Sequence, residues 1–435
     1  MPARYWTGRI SNDFGAAANW DAAPGGPAAS SPPGPAETGL FLSGGVDCVL
    51  SGDVTIGGLV TGPGYWGKID LAGHNLAGSP AADFLLAHSG DFALGSGELR
   101  LDGGTLGWAG LGGALDRGTS TVHLSGGSAI FARSGDRLND LLITAEGGGA
   151  TVLTIGPGTL GLANFNVSSS GSSSVILNTA EHAPRLVVEG DLALVLADSG
   201  TITVDQSGGA PDWEIGGDVT VEGGLAGRVA WKCGSGRLAA TGNQTQRWDW
   251  SLVSGPLEQI VIDKRWGALV LTGSLACRGW THRLGVFDPG GQEIACHGDF
   301  TIEPGGRLAA DPGTMDGCSI AVGGRLSISG RLGARLRLLA TSGWRLTVIG
   351  EAVARFVDVA HCDATAGTII DASDGTSING GGNLNWRFAH WPAAGAGKVA
   401  AAAVGSAGST AGAVHSAGGP GQVFTPGSQR GAIHG

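Results

Sequence analysis

Charge is scarce in this chain. Only 14% of its 435 residues are Asp, Glu, Lys or Arg, and the balance is acidic, with 26 Lys and Arg against 37 Asp and Glu and a net charge of −11. Lys is rare and Arg is scattered along the sequence. A grip on nucleic acid through its phosphates needs clustered basic residues, so nucleic-acid binding is not expected. Long apolar runs are also missing. No stretch approaches the roughly 18 residues that span a bilayer as a helix, so no membrane span is expected. The opening MPARYWTGRISNDFG has no apolar core of a secretory leader. The 3.6-residue period of an amphipathic helix does not occur in any convincing window. There is no GxSxG, no Walker loop and no HExxH, so no nucleophile, phosphate cradle or zinc helix announces itself. The ten histidines form no ligand pattern. The six cysteines, Cys48, Cys233, Cys277, Cys296, Cys318 and Cys362, stand singly, without CxxC or zinc spacing. They read as small buried hydrophobes, with Cys277 and Cys296 one plausible coil apart. No catalytic residue, metal or cofactor is expected.

What the chain does have is glycine, 82 residues of it, without the strict third-position period of collagen, and enough apolar residues (42%) for a core. The stretch Leu257 to Leu308 shows the organising pattern. Short apolar pieces such as Leu257, Ile260 and Ile262, or Leu269 to Leu271, are separated by turns rich in Gly, Asp, Pro and Asn. Gly-Asp-apolar recurs at Gly52-Asp53-Val54, Gly90-Asp91-Phe92, Gly190-Asp191-Leu192, Gly217-Asp218-Val219 and Gly298-Asp299-Phe300. Short strands repeated at irregular spacing predict an all-β fold, an elongated right-handed parallel β-helix or β-solenoid in which each coil covers the apolar edge of the last. At about 22 residues per coil, roughly 15 coils stacked at about 4.8 Å would give a rod on the order of 70 Å.

Three segments follow. Residues 1–39 read as an aromatic N-terminal cap and a Pro/Gly-rich linker, residues 40–388 as the solenoid, and residues 389–435 as an Ala/Gly/Ser-rich extended tail. A solenoid end exposes apolar side chains and unpaired strands, so Trp6 and Trp20 are expected to plug one end and Trp386 the other. The alternative for the first pair is a sugar-stacking platform. Trp231, Trp248, Trp250, Trp266 and Trp280 are expected to be buried or packed between subunits rather than bare. The acidic group Asp358, Asp363, Asp371 and Asp374, with Asn379, carries oxygen ligands suited to calcium. Its spacing departs from the calcium-loop pattern, so solvated turn carboxylates are the expectation. The tail should not fold alone. Strand addition onto a neighbour, anchored by Val414, Val423, Phe424 and Ile433, would dock the chain on sister subunits or an assembly partner; a plain linker is the alternative.

Two blocks carry a resemblance. Trp6, Gly8, Asn12, Asp13, Phe14, Asn19 and Trp20 form an opening, and Asn383, Asn385, Trp386 and Phe388 an ending, that resemble those around β-helical regions. Between them, residues 138–308 are similar to the degenerate repeats of bacteriophage fibre-like virion proteins and bacterial adhesin-like surface proteins. The resemblance implies a non-enzymatic structural or adhesive protein of a virion, a tail or head fibre, assembled in the host cytoplasm and released by lysis. It implies a homo-oligomer, with a trimer preferred, contacting other virion proteins and host surface polysaccharide. The alternatives it leaves are a polysaccharide-degrading β-helix of the tailspike type and an extracellular adhesin whose leader has been lost.

Overall fold

The computed structural model describes residues 2–223 and 228–389. Within them there is no α-helix; a single 3-10 turn at Ala17–Asn19 is the helical exception among the described residues. The strands stack as a parallel β-solenoid of about 14 turns.

Each turn crosses three faces in a fixed order. One face runs from Ala3–Trp6 through Thr38–Gly44 and Gly58–Tyr65 to Ala150–Ile155, Ser174–Asn178, Thr201–Asp205 and Val229–Lys232. A second begins with Cys48–Val49, Ile69–Asp70, Phe92–Ala93 and Leu115–Asp116 and is carried on by Arg185–Val188, Asp212–Ile215 and Arg237–Ala240. The third runs through Val54–Ile56, Leu76–Gly78, Leu192–Leu196 and Val219–Glu222. Long strands bend across a corner and serve two faces. Leu257–Leu271 pairs with Arg237–Ala240 through its first half and with Gln246–Trp248 through its last three positions. Turn length is not constant: 27 residues separate Ser174 from its partner Thr201, but 19 separate Leu275 from Ile294. This irregularity is why the repeat looks degenerate in sequence.

The pleat sends alternate side chains inward. Ser174–Asn178 buries Val175 and Leu177 and leaves its other three positions partly exposed. Because parallel register is kept from turn to turn, inward residues form axial ladders such as Leu153, Leu177, Val204 and Trp231. The backbone N–H and C=O groups meanwhile pair along the axis, so each turn satisfies the edge of the turn before it.

The recurring Gly-Asp pair has a structural cause. At one corner the carboxylate or amide oxygen of each turn accepts the backbone N–H of the next: Asp191 N–H donates to Asn164 Oδ1 (3.1 Å), Asp218 N–H to Asp191 Oδ1 (2.8 Å), and Arg247 N–H to Asp218 Oδ1 (2.7 Å). The same bond ties Asn75 to Asp53, Ala114 to Asp91 and Arg325 to Asp299. A Cβ on Gly217 would lie 2.3 Å from Asp191 Oδ1 and 2.5 Å from the Gly190 carbonyl, so the ladder requires glycine there.

The first 39 residues contribute to the same stack. Ala3–Trp6 runs parallel to Thr38–Gly44 and antiparallel to Trp20–Asp21, so the first turn begins at Ala3. In the segment Arg331 to Ala340, Leu336–Leu338 forms a strand with Leu336 and Leu338 buried and Arg337 outward. Arg331 and Ala334 close a tight antiparallel bridge just before it.

Candidate functional site

At the N-terminal end the two cap tryptophans are buried, Trp20 completely. Trp6 and Trp20 meet edge to face at 5.1 Å, and Phe14, Phe41 and Tyr65 extend the stack along the axis. Both indole N–H groups donate inward, Trp6 to Val46 O (3.1 Å) and Trp20 to Phe14 O (2.8 Å). Asn19, also fully buried, organises the loop over them. Its Oδ1 accepts the N–H groups of Ile10 and Ser11, and its Nδ2 donates to Ser11 Oγ and Asp13 O. Rings packed this way have no free face for a sugar. At the other end, Trp386 lies half-buried in the last described strand, stacked on Phe388 with ring centroids 5.9 Å apart.

Of Trp231, Trp248, Trp250, Trp266 and Trp280, all but Trp266 are core residues. Trp213, Trp231, Trp250 and Trp248 form a continuous chain of ring contacts, and Trp280 stacks on Phe300. Trp266 differs: it stands 70% exposed at a corner, as Trp66 does near the N-terminal end. The corner between two faces turns its side chain outward, which spacing along the sequence did not reveal.

The interior also holds ionisable groups. Glu258 is fully buried and ringed by donors: Trp231 Nε1 (2.6 Å), Gly234 N (3.0 Å) and, in the orientation that satisfies both of its amide atoms, Gln206, which in turn accepts from Trp213 Nε1. Burial pushes the Glu258 carboxyl up, against the pull of those donors. Lys264 is buried too; its Nζ donates to Gly242 O (2.7 Å) and to Gln246 Oε1, and burial lowers its pKa to about 8. These groups are enclosed and lock corners together. Cys277 and Cys296 lie in register on adjacent turns as free thiols.

Three of the acidic residues near the end of the described chain, Asp363, Asp371 and Asp374, each serve their own turn. Asp363 Oδ1 accepts from the N–H and hydroxyl of Thr365 (3.0 and 2.6 Å), Asp371 does the same with Ser373, and Asp374 with Thr376. These bonds hold the Asp363 and Asp371 carboxyls below their ordinary range. No group of three or more His, Cys, Asp or Glu converges as a metal site among the described residues.

Open grooves mark the surface of the described residues, and three bear on function. One, of about 540 Å³, gathers Ser319, Ser342, Arg345, His361 and Asp363. A second, of about 560 Å³, is lined by Gln259, Arg278, Thr281 and Asp299. Both offer hydrogen-bonding groups to a polar ligand. The third, of about 240 Å³, is chemically distinct. It is lined by Arg307, Arg331, Arg335 and Arg337 together with Leu284 and Leu308, and all four arginines are exposed. None of the four forms an ion pair among the described residues. Read along the chain, these arginines look scattered. Coiling brings Arg307, one turn earlier, against the Arg331 to Arg337 segment.

The residues expected to anchor the tail, Val414, Val423, Phe424 and Ile433, lie outside the described residues. No protein-family model, curated protein or solved structure matches the chain.

Proposed function

We propose that this chain is a non-enzymatic structural and adhesive rod of a virion, of the tail- or head-fibre kind, that meets host surface glycans with its lateral faces. The observation that carries this reading is the unbroken core. Inward ladders and inter-turn backbone bonds continue from the Trp6–Trp20 cap to Ile370–Ala372, and buried polar groups such as Asn19, Glu258 and Lys264 are spent on fastening turns. Such a stack transmits load along its axis and presents repeated, solvated corners, which suits a spacer that carries a binding surface. Fold alone is compatible with many activities, so the assignment stands on how these interior groups are used.

The test labels purified virus particles and whole cells with an antibody raised against residues 2–389 and images them by electron microscopy. Label on projecting particle fibres is the expected result; label confined to the cell interior with particles bare overturns it. In parallel, the protein is incubated with host surface polysaccharide and reducing ends are followed. No release is expected, and release abolished by changing a single Asp or Glu would make the chain a polysaccharide-degrading β-helix instead.

A further inference from the structure

We propose that the arginine-lined groove binds an acidic polysaccharide, seating a sugar carboxylate among Arg307, Arg331, Arg335 and Arg337. The proposal deepens the adhesive reading above and rests on it. The chain as a whole is acidic, with a net charge of −11, yet here four exposed arginines line one concavity with no Asp or Glu among its lining residues. Among the described residues, carboxylates flanking the groove form no ion pair with these four arginines. Glu303 sits 3.8 Å from Arg283, and Asp358, opposite Arg337 in register, makes no ion pair with it. Like charges held together repel, so the cluster is stabilised when an anion enters.

The arrangement is partly set before any ligand arrives. Arg337 projects from the strand Leu336–Leu338 between two buried leucines, which fixes its direction. Arg335 Nε donates to Thr376 O (2.7 Å), so its plane is held while its terminal N–H groups stay free. Arg331 sits on the tight bridge to Ala334. Planar guanidinium forks match carboxylate oxygens two bonds at a time.

The rest of the lining selects the class of anion. Leu284 and Leu308 give an aliphatic wall, and Gly305 and Ala310 bring backbone groups to the surface. A uronate ring offers a carboxylate for the arginines, C–H faces for the leucines and hydroxyls for the backbone. A nucleic-acid strand would instead want aromatic side chains for its bases, and this groove has none. At about 240 Å³ the groove is smaller than the roughly 300–1,000 Å³ of pockets that enclose drug-sized ligands, which suits one charged sugar unit of a longer chain.

The test uses the full chain and biolayer interferometry with five probes: polygalacturonate, heparin, neutral dextran, a single-stranded oligonucleotide and phosphatidylglycerol vesicles. Polygalacturonate is expected to bind, weakening as salt rises from low to high, and dextran is not. The double variant Arg331→Ala/Arg337→Ala, which spares the anchored Arg335, should bind polygalacturonate at least tenfold more weakly. Arg185→Ala, whose guanidinium pairs with Glu214 elsewhere on the rod, should bind as the parent does. An unchanged circular dichroism spectrum and melting temperature establish that the double variant is folded; if it is not, Arg331→Gln and Arg337→Gln are measured singly. Polygalacturonate binding that survives these changes overturns the site while leaving the adhesive reading intact. No binding to polygalacturonate, or tighter binding to the vesicles or the oligonucleotide, overturns the acidic-glycan assignment. Heparin binding without polygalacturonate binding also overturns it, because the anion is then sulfate and not carboxylate. The particle-labelling experiment decides the adhesive reading separately.

Discussion

Replacing Lys264 by Met tests how the corners are held. Lys264 is a fully buried side chain whose Nζ is satisfied by a backbone carbonyl and an amide oxygen, with no carboxylate in contact. Burial disfavours its charged form and lowers its pKa from 10.5 to about 8; Asp218 pulls in the opposite direction and is outweighed. At face value that difference corresponds to about 3 kcal/mol, which screening by the solvent just outside the corner reduces to about 1–2 kcal/mol. The sign follows from proton binding. Between about pH 8 and 10.5 the unfolded chain holds the lysine proton more tightly than the folded chain does, so this residue makes stability rise with pH across that window. Lys264→Met removes the contribution. Other groups titrate in the same range, so the informative quantity is the difference between parent and variant, measured by urea unfolding at pH 7, 8, 9 and 10. Relative to Lys264→Met, the parent should gain about 1–2 kcal/mol between pH 7 and pH 10. Parallel stability curves would refute the reasoning, because the ammonium would then be as well solvated folded as unfolded.

Further outcomes follow from the cap, the corner ladder and the thiols. Trp20→Ala deletes a fully buried ring and its bond to Phe14 O, and should cost about 3–5 kcal/mol locally; hydrogen exchange should quicken in the first turns and leave residues beyond Ala150 unchanged. Asp191→Ala removes the oxygen that accepts Asp218 N–H and should destabilise by about 1–2 kcal/mol, read as earlier proteolysis at that corner, whereas Glu222→Ala, exposed at the end of the strand Val219–Glu222 and outside the ladder, should change little. Burial pushes the Cys318 and Cys362 thiols up to about 12. Their contribution to stability is therefore present below about pH 9 and is lost as pH rises toward 12, so Cys318→Ala/Cys362→Ala should flatten the alkaline fall in melting temperature.

The sequence by itself determined the fold class. Apolar pieces too short for helices, broken by residues that turn the chain, leave stacked strands as the arrangement that buries them, because pleated alternation and turn chemistry are local properties. It also marked Trp6, Trp20 and the Gly-Asp corners as special. Tertiary structure decided whatever depends on register between turns. The aspartate ladder, the burial of Glu258 and Lys264, and the outward turn of Trp266 are set by which residue of one coil lies over which residue of the next. With coil lengths between neighbours as different as 19 and 27 residues, that alignment has no fixed period to read along the chain. The arginine groove shows the same limit: Arg307 and the Arg331 to Arg337 segment become neighbours only through coiling, so their shared charge belongs to the stack and not to any stretch of sequence.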